Sequence, residues 1–218
     1  GAPKTLTFFA HAPLSRKVEM GISLITDNIG DGVLKENNIY MDFAYILKLD
    51  ENSNLSLGLK GGITTFETNF NGFVLPEFQE DIAFDENLNN TFPNVGIGAF
   101  YHRDNFYAGI SAPNLLTSKH LENKDGIHRI GSEAIHVFLT SGYVYELNPD
   151  LKIKPSAMAK VVQGTLPTVD VSLNLLFNDR FEGGLSYRLE DAVSGMFNLS
   201  VLPALRIGYA YDHTLSNL

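Results

Sequence analysis

Hydrophobic and polar residues alternate with a period of two along almost the whole chain. Between residues 168 and 178, for example, Val171, Leu173 and Leu175 alternate with Ser172 and Asn174. This period is typical of β-strands with two unlike faces, and no long stretch has apolar residues at helical spacing. The pattern predicts about twelve strands, over 5–12, 17–27, 38–49, 54–68, 93–102, 105–112, 134–147, 151–162, 168–178, 181–189, 193–201 and 204–212.

The connections between these strands alternate between short and long. Short turns are predicted at 13–16, 50–53, 103–104, 148–150, 178–180 and 202–203, and longer loops at 28–37, 69–92, 113–133, 163–167 and 190–192. In an antiparallel up-and-down sheet, odd and even connections emerge at opposite rims. Short turns at one rim and long loops at the other are typical of an outer-membrane β-barrel.

The two predicted faces differ sharply in charge. One alternate set of strand positions, exemplified by Ile39, Met41 and Phe43, contains no Asp, Glu, Lys or Arg, although 19% of the chain is charged. Lys or Arg facing lipid at mid-depth costs about 2–4 kcal/mol, which explains such an exclusion. The opposite set carries the charges and many glycines, as a crowded, curved and polar interior requires.

A water-soluble β-sandwich or barrel gives the same alternation with the apolar face turned inward. The long strands, the number of strands and the aromatic residues at the strand ends favour a membrane barrel instead. Pro155 lies inside the predicted strand 151–162 and removes one ladder hydrogen bond, so we expect a local bulge there.

Composition narrows the possible functions. The net charge of −9 and the absence of a basic patch argue against a nucleic-acid partner. There are no cysteines, so disulfides, thiolate metal sites and cysteine nucleophiles are excluded. No apolar run reaches the roughly 18 to 20 residues of a membrane-spanning helix, but a spanning strand needs only about 9 to 11 residues, half of them apolar. The mean hydropathy of −0.02 is therefore compatible with a membrane barrel.

Several segments distributed over nearly the whole chain resemble one known family. They are Gly1 to Thr5 with His11 to Leu14, Gly21 to Gly30, Leu57 to Ile63, Ser111 to Leu116, Leu151 to Ala157, Leu176 to Phe181 and Arg206 to Asp212. Together these segments resemble the PorP/SprF family of membrane proteins associated with type IX secretion and gliding motility.

This resemblance implies a barrel in the bacterial outer membrane that helps to export or anchor secreted adhesins, or other cargo with C-terminal sorting domains. The implied partners are that cargo, periplasmic and lipoprotein subunits of the machinery, and outer-membrane lipid. Family members carry one further strand at each end, so we expect residues 1–218 to form a single barrel domain truncated at both ends. The complete protein would then have about fourteen strands.

Candidate catalytic and metal chemistry is sparse. The six histidines are scattered, and no pair has metal-ligand spacing. No Gly-x-Ser-x-Gly elbow occurs. The glycine-rich stretches lie within predicted strands that no helix follows, so they do not match a phosphate-binding loop. We therefore expect no enzyme, no metal and no cofactor. Five carboxylates in one long loop match calcium chemistry, but a solvated acidic loop is the favoured interpretation. They are Glu77, Glu80, Asp81, Asp85 and Glu86.

The cations on the predicted interior face are the candidate binding residues. One interpretation is an interior that pairs its own charges, and this is slightly favoured for the individual residues. The other is a basic wall that receives an acidic segment of a protein partner. A passive diffusion porin, which also needs a polar interior, is the alternative function. The candidates are Lys60, Lys152, Lys154, Lys160, Arg188 and Arg206.

Overall fold

A computed structural model describes residues 3–30, 32–69, 89–116, 123–124, 127–128, 134–202 and 205–215. In this part of the chain every regular element is a β-strand. No described helix has the length and hydropathy needed to cross a membrane. The strands are β1 (Lys4–Pro13), β2 (Val18–Ile29), β3 (Leu34–Lys48), β4 (Ser53–Thr68), β5 (Asn89–Arg103), β6 (Phe106–Ala112), β7 (Asn123–Lys124), β8 (Ile127–His128), β9 (His136–Tyr143), β10 (Tyr145–Asn148), β11 (Leu151–Val162), β12 (Thr168–Phe177), β13 (Phe181–Arg188), β14 (Ala192–Leu202) and β15 (Leu205–Thr214).

Thirteen strands form one antiparallel sheet that follows the order of the chain and leaves out β7 and β8. The order is β1-β2-β3-β4-β5-β6-β9-β11-β12-β13-β14-β15, with β10 also pairing β11. The two-residue strands β7 and β8 pair only with each other. The predicted all-β, antiparallel, up-and-down architecture is confirmed, and eleven of the twelve predicted strands are each one strand of this sheet.

The remaining predicted strand, over 134–147, is divided at Val144 into β9 and β10. Gly142 pairs with Ser156 and Tyr145 with Ile153, so the register is the same on both sides of the break. Pro155 pairs with Leu173 in an unbroken register with β12. The predicted bulge at Pro155 is therefore wrong. Because proline has no N–H to donate, the ladder is interrupted beside it without a shift of register.

The predicted bounds of the first long loop, 28–37, are also wrong, because β2 and β3 extend into this segment. Residues 30–33 connect β2 to β3, and the segment predicted as loop 28–37 contains paired residues, among them Asn28 with Lys35 and Thr26 with Asn37. Polar side chains conceal the alternation here, but ladder hydrogen bonds join backbone groups and do not need apolar side chains. Gly30 closes the turn at φ +67°.

Residues 89–92, which were predicted as part of the loop 69–92, belong to β5 instead, because this strand begins at Asn89. Residues 70–88 lie outside the described residues, and so do the five loop carboxylates considered for calcium. On the opposite rim the turns are tight, and the backbone N–H of Asn52 donates to Asp50 at 2.8 Å. Hydrogen bonds from Ser53 and Asn52 lower the pKa of Asp50 below its ordinary value.

The apolar side chains of the sheet are not packed into a shared core. Leu173, Leu185 and Ile207 are 52%, 66% and 55% exposed, whereas Asn174 and Glu182 on the other face are 5% and 6% exposed. Among the described residues, the buried hydrophobic ones are Tyr40, Ala112 and Ala192. A water-soluble protein would bury its aliphatic face and expose its polar face, so the structure has the opposite arrangement.

By contacts the chain divides into two compact units. Unit 1 comprises Gly1–Ile46, Leu57–Ile97 and Pro113–Ile135, and unit 2 comprises Leu47–Ser56, Gly98–Ala112 and His136–Leu218. The single domain expected over residues 1–218 stays a prediction. The polar face is described below for each unit separately.

Candidate functional site: the polar face of the sheet

A buried carboxylate organises the polar face of unit 2. Glu182 on β13 accepts a hydrogen bond from Asn174 Nδ2 at 2.9 Å. It also forms an ion pair with Lys154, whose Nζ lies 2.5 Å from the same carboxylate oxygen. Arg206 on β15 lies 4.0 Å from its other oxygen, with 59% of the arginine side chain exposed. Four strands therefore contribute to one cluster, and Arg206 is its accessible cation.

The sheet register explains how these residues meet. Lys154 pairs with Asn174, and Asn174 pairs with Gly184 on β13. The Asn174 side chain lies over Gly184, where a Cβ would collide with its amide. The glycine therefore provides the space in which the amide turns towards Glu182.

A second ion pair lies further along β13. Arg188 Nε donates to Asp170 Oδ1 at 2.8 Å, and its Nη1 lies 3.4 Å from Asp191 Oδ2. Asp170 and Arg188 are also register partners on β12 and β13. The pair thus follows from strand pairing and holds the guanidinium against the sheet.

Lys152 lies at the short-turn end of β11. Its Nζ is 2.9 Å from Asp179 and 3.3 Å from Glu146, and both carboxylates are mostly exposed. Such pairs contribute little to stability because water screens them. Lys152 is thus neutralised at the rim of the polar face.

Lys160, on the same face of β11, makes no ion pair with any residue that the structure describes. Its register partners are Phe138 and Thr168. Among the six predicted cations, Lys160 is therefore one whose charge is available to a partner.

Lys60 belongs to unit 1 and has an aromatic partner. Its Nζ lies 3.7 Å from the centroid of the Tyr40 ring. The Tyr40 hydroxyl is hydrogen-bonded to Asn38 at 2.8 Å and to Thr64 at 2.9 Å. The ring is fixed by these bonds and offers its face to the cation.

The structure thus brings Lys154 and Arg206 together, and it places Lys152, Arg188 and Lys160 at separate points of unit 2. The favoured prediction of a self-paired interior agrees with the partners of Lys152, Lys154 and Arg188. The sequence could not show which carboxylate meets which cation, because that depends on the register between strands.

Four serines and an aromatic pair on this face were not singled out from the sequence. Ser156, Ser172, Ser186 and Ser194 are consecutive register partners across β11 to β14, and Asp212 on β15 continues the row. The Oγ atoms of Ser172 and Ser186 are 2.8 Å apart. The signal was present in the sequence, since all four serines occupy the polar phase of the alternation.

The aromatic pair adjoins this row. Phe100 and Tyr107 stack with ring centroids 5.9 Å apart and an interplanar angle of 29°. The Tyr107 ring lies over Gly142, which is the register partner of Ser156. A Cβ at Gly142 would collide with the ring, so glycine is what allows the tyrosine to lie flat on the sheet.

Metal ligands are not clustered in the part of the chain that the structure describes, since no three His, Asp or Glu side chains there are placed to hold an ion. The polar face therefore offers hydrogen-bonding groups, ion pairs and aromatic rings. Groups of these kinds can bind and orient a ligand.

Comparison with known proteins adds the family. No curated protein sequence matches the chain. The family model described as "Type IX secretion system membrane protein PorP/SprF" matches residues 1–218. An all-β sheet with an exposed apolar face fits a protein of the outer membrane, as this family description implies. Because the match spans every residue, the chain belongs to the PorP/SprF family and is an outer-membrane component of the type IX secretion system.

Proposed function

We propose that this chain is a non-enzymatic barrel that binds secreted adhesins, or cargo with C-terminal sorting domains, and anchors them or helps to export them. The sheet would close within the membrane, with its apolar face towards lipid and its polar face lining the interior. Hydrocarbon cannot satisfy the backbone groups of an open sheet edge, and this supports closure. The periplasmic and lipoprotein subunits of the machinery would meet the short-turn rim.

One observation carries the proposal: the family membership is combined with a polar face that keeps accessible cations. Arg206 is more than half exposed, and Lys160 has no ion-pair partner among the described residues. An acidic segment of the cargo would pair with these two groups. Lys152, Lys154 and Arg188 would contribute less, because they already face carboxylates.

The test is a cross-linking pull-down from intact cells that express the complete gene product. We expect a secreted protein with a C-terminal sorting domain to co-purify. The double variant Lys160→Glu with Arg206→Glu should reduce its recovery severalfold, because both accessible cations are reversed. Lys35→Glu serves as the matched control, since Lys35 is exposed near the start of β3 and outside the polar face.

Recovery that is unchanged by the double variant would contradict the cationic contact. If no secreted protein is captured at all, the binding role itself fails. A passive diffusion porin is the alternative, favoured by the polar face alone. It predicts conductance in planar bilayers by the complete protein without any partner.

A further inference from the structure

We propose that the polar face of unit 2 carries a second kind of site, a binding row for a linear neutral oligosaccharide. The row consists of Ser156, Ser172, Ser186 and Ser194, with the stacked rings of Phe100 and Tyr107 at one end. It is distinct from the capture of an acidic protein segment. The inference does not depend on that function.

The geometry of the serines is the first support. Because they are register partners on adjacent strands, they succeed one another at the interstrand spacing of about 4.8 Å, perpendicular to the strands. All four are partly exposed. Ser172 donates to Ser186, and Ser186 donates to the Val171 carbonyl oxygen, so these two serines offer acceptor lone pairs to sugar hydroxyls. A serine hydroxyl without such a bond to the described residues can donate or accept, and this describes Ser156 and Ser194. The spacing is close to the length of one sugar ring and does not match the repeat of an extended peptide.

The row of serines, which have short side chains, is bordered by longer polar side chains and methionines on both sides. On the short-turn side, the next inward positions from β11 to β15 are Lys154, Asn174, Gly184, Met196 and Ala210, so small residues on β13 and β15 alternate with longer ones. Towards the other end of the strands, Asp170 and Arg188 form the opposite flank. Lys154, Asn174 and Met196 therefore border the path of a sugar chain on this side, and Gly184 and Ala210 leave space beside Ser186 and Asp212.

The charges that flank the row favour a neutral ligand. Lys154 and Arg206 share Glu182, and Arg188 is bound to Asp170. Lys154 and Arg188 already face carboxylates, so they present fixed donors and acceptors. The exposed Arg206 and Asp212, which lies at the β15 end of the row, add one charge of each sign, so the net charge around the row stays small. Ion-paired side chains of this kind can hydrogen-bond neutral hydroxyl groups on both sides of the row.

The aromatic rings provide the remaining contact. Phe100 is 40% exposed on the polar face, and its ring is held by Tyr107, which lies flat over Gly142. The ring pair therefore leads directly to Ser156, the partner of Gly142. Sugar rings have an apolar C–H face that packs on flat aromatic rings, so one end of the row can hold a terminal sugar by stacking.

The experiment titrates the purified full chain in detergent with maltohexaose, cellohexaose and mannohexaose. Calorimetry measures binding, and tyrosine fluorescence gives a second readout, because the chain has nine tyrosines and no tryptophan. We expect saturable binding of at least one hexasaccharide. The double variant Ser172→Ala with Ser186→Ala should weaken it about tenfold, because two hydrogen-bonding hydroxyls are removed. Phe100→Leu should weaken it similarly.

Ser141→Ala is the matched control. Ser141 lies on β9 beside the row, but it pairs with Ala108 and Ala157 on the apolar face. The affinity of the Ser141→Ala variant for the hexasaccharide should equal that of the unmodified chain. Absence of binding to all three hexasaccharides would overturn the proposal, and so would equal weakening by the control. Displacement of a bound sugar by hexaglutamate at lower concentration than free sugar would assign the row to an acidic peptide instead.

Discussion

Glu182 is the residue on which the charge pattern of unit 2 depends. It is 6% exposed, and Asn174, Lys154 and Arg206 all direct polar atoms towards it. A buried carboxylate is stable only when its charge is matched and its oxygens are hydrogen-bonded. The short contact with Lys154 and the bond from Asn174 meet both conditions.

We expect Glu182→Gln to lower the free energy of unfolding by about 1–3 kcal/mol, since Lys154 loses its counter-ion in a partly buried place. The measurement is urea unfolding of the full chain in detergent, followed by far-UV circular dichroism. Glu146→Gln is the control, because Glu146 pairs with Lys152 at 3.3 Å but is 68% exposed. Its effect should remain below about 1 kcal/mol. Equal effects at the two positions would contradict the organising role of Glu182.

At the scale of one element, β4 contains two adjacent glycines with opposite surroundings. A Cβ at Gly62 would lie 2.8 Å from the Tyr40 Cα and closer still to the Ile39 carbonyl oxygen, whereas a Cβ at Gly61 would meet nothing within 4 Å. The backbone of β3 thus approaches β4 closely at one glycine and not at the other. The close packing of β3 against β4 therefore requires a glycine at position 62 but not at position 61.

Gly62→Ala should therefore destabilise the chain by about 1–3 kcal/mol, because the Ile39 carbonyl oxygen and the Tyr40 Cα are backbone atoms and cannot rotate away. Gly61→Ala should change stability by less than about 0.5 kcal/mol. Thermal unfolding of both variants in the same detergent gives the comparison. Similar melting temperatures for the two variants would show that the close approach at Gly62 has no energetic weight.

The elements also show what the sequence can predict. Strands such as β12 were predictable because apolar and polar residues alternate from Val169 to Phe177, and ladder register then follows from tight turns. The start of β3 was not, since Lys35 and Asn37 hide the alternation while their backbones pair. A self-paired interior was predicted, but neither the partners within each ion pair nor the serine row were, because both require knowledge of which residues face each other across strands.

At the scale of the whole molecule, the inverted exposure of the sheet indicates where lipid lies. Leu173 lies near the middle of β12 on the apolar face, and its register partners are Pro155 and Leu185. Ser172 is its neighbour on the polar face. These two positions therefore compare the two sides of one strand at nearly the same depth.

We expect Leu173→Lys to destabilise the complete protein in phospholipid vesicles by about 2–4 kcal/mol, because a cation is placed in hydrocarbon. Ser172→Lys should cost clearly less, since the polar face already accommodates lysines. Guanidinium unfolding in vesicles, followed by the mobility shift of folded protein on gels, measures both. The reverse order of the two effects would place lipid on the other side of the sheet.

The scarcity of buried hydrophobic residues in the described part of the chain has a consequence for how such a protein can change over time. The outward side chains need only remain apolar. The backbone hydrogen bonds hold the strands together regardless of which side chains point inward. Inward positions such as Ser172 and Arg206 can then be exchanged without disturbing an interlocked interior. A lineage built on this plan can acquire new ligands by altering a few inward residues while its scaffold persists.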